Sequence, residues 1–151
     1  MTKKYQSYTL SIDTPDGAIC CAVQRKVDNE NENAMQVTIA VAIQGQERLF
    51  VAERTEDALI EFAKSLPEDW CIQSCLSCRY GHFCPVGNAD NEIFCVTDVE
   101  PKAPCDLRDV TENAEEASKR SRNLFHLCGQ YQPQSDDYWT YNDYYRMVKR
   151  C

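Results

Sequence analysis

The sequence predicts an α+β fold: an antiparallel β-meander of about four or more strands, a covering helix, and a second half organised by cysteines. Three observations carry this expectation. Apolar residues alternate with period two over the first fifty or so positions. A helical stripe follows them. From Cys71 to Cys105, six of the chain's ten cysteines then crowd into thirty-five residues. At 151 residues the chain suits one domain, 1–151, in which 1–69 hold the meander and helix and 70–151 form the cysteine-rich half.

Tyr8, Leu10 and Ile12 alternate before the turn chemistry of Thr14-Pro15-Asp16-Gly17, and Ile19, Cys21, Val23 and Val27 resume the pattern, which predicts a hairpin. The polar stretch Asp28-Asn29-Glu30-Asn31-Glu32-Asn33 leads to the cleanest strand, with Met35, Val37, Ile39, Val41 and Ile43 on one face. Gln44-Gly45-Gln46 then turns into a fourth strand near Leu49 to Ala52. From Thr55, read as an N-cap, Ala58, Leu59, Phe62, Ala63 and Leu66 share one helical face until Pro67 stops the run. Beyond the cysteines, a second helix is expected from Thr111 to Cys128, ended by Gly129. On it Ala114, Ala117, Ser121, Leu124 and Cys128 would form one face, with Cys128 pointing inward. The aromatic run Tyr138 to Tyr145 leads into a short terminal helix and reads either as a recognition surface or as packing.

The acidic balance, 24 Asp and Glu against 16 Lys and Arg for a net charge of -8, argues against binding phosphate backbones. Neither a long apolar run nor a secretory leader is visible, so a cytoplasmic protein without a membrane role is expected. In a reducing compartment ten cysteines point to metal ligands, core residues or redox groups ahead of disulfides.

Cys75-Leu76-Ser77-Cys78 is a C-x2-C knuckle, a spacing that lets two sulfurs converge on one cation. Two further ligands must come from Cys71, Cys84, Cys95, Cys105 and Cys128. The strand Ile93-Phe94-Cys95-Val96 and the inward helix face favour Cys95 and Cys128, whereas Cys84 and Cys105 adjoin prolines in loops. The expected site is therefore Zn2+ held by Cys75, Cys78, Cys95 and Cys128. Four thiolates leave no open coordination position, so that centre would be structural and would clip the second half together. Two iron–sulfur patterns compete. Cys71, Cys75 and Cys78 spell C-x3-C-x2-C, as in radical S-adenosylmethionine enzymes, but the 73 residues after Cys78 fall short of the barrel those enzymes use. Adding Cys84-Pro85 approaches the bacterial iron–sulfur run at a looser spacing. The cysteines could also be plain small buried apolar residues, as Cys20 and Cys21 on the second strand are expected to be.

The constellation resembles a group of small bacterial proteins of unknown function, over about the second half of the chain. The residues that carry the resemblance are Cys75, Cys78, Tyr80, Pro85, Gly87, Cys95, Cys128, Tyr131 and Pro133, with Val96 standing where an aromatic is expected. It implies the same four ligands and no activity.

Neither histidine lies in a nucleophile or zinc-hydrolase motif. His82 could replace a thiolate but reads as a bystander, and His126, two residues from Cys128 on the expected helix, would face away from it. The acids of Thr111 to Glu116 read as the complement of a helix dipole. Lys119, Arg120 and Arg122 read as a solvated face offset by Glu115 and Glu116. Without a nucleophile, acid and base in a known spacing, catalysis is not expected. Four thiolates and one dication add two negative charges to the formal -8, which favours a basic protein partner. The expectation is a non-catalytic bacterial interaction module, conceivably an immunity-type binder of a basic toxin, with an iron–sulfur redox protein as the alternative.

Overall fold

The computed structural model describes residues 3–31 and 34–148, so Glu32 and Asn33 of the polar link lie outside the described residues. The chain divides into two compact units, Met1–Ile72 and Gln73–Cys151.

The first unit is α+β, as expected. Its long strands are β1 (Lys3–Thr14), β2 (Gly17–Asn31), β3 (Ala34–Ile43) and β4 (Gln46–Ala52), and a short β5 (Cys71–Gln73) completes a five-stranded sheet in the order β4-β3-β2-β1-β5. The meander pairs are antiparallel, and the turns fix their register. Thr14 pairs with Gly17, whose φ of 115° only glycine tolerates easily, while the Thr14 hydroxyl donates to the Gly17 carbonyl at 2.8 Å. Ile43 pairs with Gln46 across Gln44-Gly45, both left-handed (φ 51° and 75°), the backbone of a type I′ hairpin.

With that register set, Leu10, Ile12, Cys21, Val23, Val37, Ile39, Val41 and Ile43 are all buried. Helix α1 (Thr55–Ser65) packs on β3 and β4 through Ala58, Leu59, Phe62 and Ala63. Phe62 meets Phe50 edge to face at 5.5 Å. Two residues depart from expectation. The N-cap of α1 is Arg54, and Thr55 is instead buried with its hydroxyl accepting from Arg25 Nε at 2.7 Å. Arg25, on the interior side of β2 where apolar residues otherwise stand, is satisfied there by Thr55 and Gln6. Cys21 is buried as expected, but Cys20 is exposed, contrary to the expectation that both are buried, because strand alternation turns neighbours to opposite faces.

The second unit contains a small antiparallel sheet, β6 (Gly81–His82), β7 (Ile93–Cys95) and β8 (Ser121–Arg122), in the order β6-β7-β8. Helices α2 (Pro104–Thr111), α3 (Ala114–Arg120) and α4 (Tyr144–Val148) accompany it, and Leu76, Ile93, Val96, Leu107, Leu124, Phe125 and Tyr144 are its principal buried apolar residues.

The single helix expected over 111–128 is not formed. Asn113 leaves helical geometry and caps α3 by accepting from the N–H groups of Glu115 and Glu116, which ends α2 and starts a new helix. Ser121 then turns extended and pairs with Phe94, so the chain exits the helix into β8. Of the expected inward stripe only Leu124 is buried, and Cys128 is exposed outside any helix. Local pairing with β7 outweighs a stripe that carried just one large apolar residue. Among the described residues no helix is long and apolar enough to cross a membrane.

Candidate metal centre

The knuckle is built by close backbone approach. The Cys78 N–H reaches the Cys75 carbonyl at 3.4 Å and the Gly81 N–H reaches the Cys78 carbonyl at 3.0 Å. A Cβ on Gly81 would stand 2.1 Å from the Cys75 carbonyl oxygen and 3.0 Å from Ile93, so only glycine lets β6 leave the knuckle this tightly. Inside the turn the buried Ser74 and Ser77 hydroxyls occupy local groups: Ser74 Oγ accepts from Leu76 N at 3.2 Å, and Ser77 Oγ accepts from Ser74 N at 3.2 Å.

The outer side is braced from far along the chain. Arg79 N donates to the Gln132 carbonyl at 2.8 Å, Gln134 N donates to the Ser77 carbonyl at 3.3 Å, and Cys78 bridges Pro133. Two buried amides finish the carbonyls: Gln134 Nε2 donates to those of Leu76 and Cys78, and Asn142 Nδ2 to those of Leu76 and Gly81. Their oxygens accept from Tyr145 N and Tyr144 N, so each amide works at both ends. Gly81, Gln134 and Asn142 were missed by sequence reasoning. A small residue three positions past a C-x2-C was the only signal for any of them.

The aromatic run mostly packs, with Tyr141 exposed. Tyr138 meets Tyr80 edge to face at 6.2 Å and lies under the Arg79 guanidinium, Trp139 stacks on His82 at 5.9 Å, and Tyr144 is buried. His82 is 0% exposed, and its Nδ1 accepts from the Tyr141 N–H at 3.1 Å. Its Nε2 therefore carries the proton and has no partner, and burial holds the ring down to a pKa of about 4. It is fastened to the C-terminal segment as a neutral ring.

Each candidate cysteine now has a place. Cys71 is disulfide-bonded, contrary to the expectation of reduced thiols throughout, which removes it from the competition. Cys84 lies 3.7 Å from the Thr111 hydroxyl, and exposed Cys105 lies beside its neighbour Asp106. Two of the candidate cysteines, Cys75 and Cys95, have thiols raised by their surroundings. Burial pushes the Cys75 thiol up to about 12, and the charges of Cys78, Cys95 and Cys128 push in the same direction, with Arg122 opposing. Burial likewise raises Cys95, Arg122 and Arg120 oppose, and Cys128 and Cys78 add to the rise.

Cys75, Cys95 and Cys128 line a cleft of about 370 Å³ together with Arg120, Arg122 and His126; Cys78 is not in its wall. Because 126–130 is not helical, His126 and Cys128 share this cleft despite the expected two-residue spacing on a helix. The basic residues are more than a solvated face. Lys119 and Arg120 do pair with Glu115 and Glu116, but the Arg120 side chain is only 12% exposed and grips Asp98 at 2.7 and 2.9 Å. Arg122 is held by the Lys119 and Ser121 carbonyls at 2.8 Å.

The donor chemistry suits a soft or borderline dication. Four thiolates brought to one centre would repel one another, and a dication there would supply the compensating charge. As placed, no group of three or more His, Cys, Asp or Glu side chains among the described residues could hold a metal ion. Comparison of the chain with protein-family models, with curated proteins and with solved structures finds no match.

Proposed function

We propose that the second unit is a four-thiolate zinc module, with Cys75, Cys78, Cys95 and Cys128 as ligands, and that the protein is a non-catalytic interaction module. What supports this reading is placement: the knuckle sulfurs of Cys75 and Cys78 are buried, and Cys75 shares the wall of one cleft with Cys95 and Cys128. Zn2+ would hold the knuckle, the end of β7 and residue 128 to one centre, and the knuckle's braced carbonyls leave its sulfurs as the available donors. A closed shell of four thiolates has no position for substrate, which makes the role structural. The acidic surface favours a basic protein partner, whose association would slow as salt rises.

Elemental analysis of anaerobically purified protein tests the centre. One zinc per chain is expected, lost on Cys→Ser change at any of the four positions and kept in Cys84→Ser and Cys105→Ser. A brown preparation with iron and labile sulfide would replace zinc by a cluster. Full zinc retention in all four ligand variants would overturn the assignment. For the partner, failure to recover any specific basic protein at low and moderate salt would remove that half of the proposal.

A further inference from the structure

β4 lies outermost in the sheet order β4-β3-β2-β1-β5, and its seven residues pair with β3 in unbroken register. The two-residue hairpin makes Ile43 and Gln46 the first pair that exchanges backbone hydrogen bonds, and such pairs then alternate along the ladder. Gln46, Arg48, Phe50 and Ala52 therefore turn their N–H and C=O groups toward β3. Those of Glu47, Leu49 and Val51 turn away from the sheet, and among the described residues they meet no hydrogen-bonding partner. The side chains at this edge are apolar where a lone edge is ordinarily guarded. Leu49 is 63% and Val51 55% exposed, and β4 holds no proline, lysine or bulge, the devices by which an edge repels copies of itself. Its two charges, Glu47 and Arg48, stand side by side toward one end.

We propose that a second copy of this chain occupies the edge, β4 against β4, antiparallel about a two-fold axis at Leu49. The charges select that register. Centred on Arg48, the pairing sets two guanidinium groups opposite one another, and centred on Phe50 it sets Glu47 opposite Glu53 of the second copy. Like charges directly opposed weaken a strand pair. Centred on Leu49, the pairing sets Leu49 on its own copy, Glu47 against Val51 and Arg48 against Phe50, and no like charges oppose. The same register joins residues whose backbone groups point outward, so Leu49 exchanges both hydrogen bonds with Leu49, and Glu47 both with Val51. A two-fold operation uses the β4 edge of each copy once and closes, which gives a dimer and not a fibre. The five-stranded sheet becomes continuous across two copies. One strand edge is a small interface, so association is weak and grows with concentration.

Sedimentation equilibrium of the full chain from micromolar to near-millimolar concentration is expected to show a mass rising from 17.3 kDa to twice that value. Over the same range, exchange of the Glu47, Leu49 and Val51 amide hydrogens, followed by NMR, is expected to slow, while Arg48 and Phe50, already bonded to β3, stay unchanged. Leu49→Lys sets two ammonium groups opposite each other at an exposed position and is expected to leave a folded monomer at every concentration. Gln24 stands in the same cross-strand row as Ala40 and Leu49, exposed but on β2 and away from the edge, and Gln24→Lys is expected to dimerise as the parent does. A parent chain that stays monomeric overturns the proposal, whatever else the edge binds. So does a mass beyond the dimer, a dimer that survives denaturing electrophoresis without reductant, or one that persists in Leu49→Lys. Loss of the dimer in Gln24→Lys overturns it too, because the contact would then lie on the sheet face. If a variant fails to fold, the exchange pattern of the parent chain decides.

Discussion

The two units hold themselves together by different means. In the first, four strands of 7 to 15 residues pair along their lengths and one helix seals their apolar face. In the second, three strands of two or three residues supply little ladder, and the chain is pinned by particular groups: a glycine at a close approach, two buried amides and a buried imidazole, to which the proposed zinc centre would add the cysteines. The first design spreads stability over many interchangeable contacts, each of modest size. The second concentrates it in a few polar links that are costly to leave unmade.

The sharpest way to break this comparison is to remove the proposed metal. Apparent zinc-binding energies in small modules run about 10–16 kcal/mol, as large as the whole stability of a typical domain. A strong chelator, or Cys75→Ser, is therefore expected to abolish the near-ultraviolet signal of Trp139 and its tyrosine neighbours while the far-ultraviolet strand signal of the first unit persists. Equal loss of both signals would show that the two units do not differ in what holds them.

The reciprocal experiment strikes the apolar core of the first unit. Phe62 is 0% exposed and touches Phe50, and Phe62→Ala is expected to cost about 3–5 kcal/mol by urea denaturation. Zinc content should stay unchanged. A chain whose zinc is lost along with Phe62 would contradict the separation.

A third effect is pH-dependent. Unfolded His82 protonates near pH 6.5, whereas the folded ring resists until about pH 4, so between those values the unfolded chain binds more protons and stability falls as pH falls. The contribution is fully present above 6.5 and amounts to at most about 3 kcal/mol lost by pH 4. In His82→Gln, which can still accept from Tyr141 N–H, the slope of unfolding free energy against pH over this window should drop by about one proton. An unchanged slope would show that His82 is not the acid-sensitive link.

Legibility in the sequence follows the same division. The meander was readable because Val37, Ile39, Val41 and Ile43 alternate and Gly17 and Gly45 mark turns that need positive φ. Helix α1 was readable to within its cap. The tight turn at Cys75–Cys78 was also open to reading, whereas Cys128 was favoured as a companion ligand for a helical position it does not have. Period-based argument failed over 111–128 because Asn113 and Ser121 act through local hydrogen bonds and strand pairing, which leave no period. Gln134 and Asn142 lie fifty-six to sixty-six positions from the carbonyls they satisfy, and nothing local to either residue announces that role.

Those amides give the smallest effect and the most direct probe of the second unit's polar design. Asn142→Leu keeps an apolar body of similar size but removes both donors to the Leu76 and Gly81 carbonyls and the acceptor for Tyr144 N–H. Gln134 still serves Leu76, so the main unsatisfied groups are the Gly81 carbonyl and the Tyr144 amide. A cost of about 2 kcal/mol is expected, in the range for buried polar groups stranded without a partner. The Tyr144 amide hydrogen is expected to lose its protection and exchange faster, and that local readout separates lost bonding from general loosening. If Asn142→Leu is as stable as the parent chain, apolar filling is as good here as hydrogen bonding, and the contrast between the two units narrows to the cysteines alone.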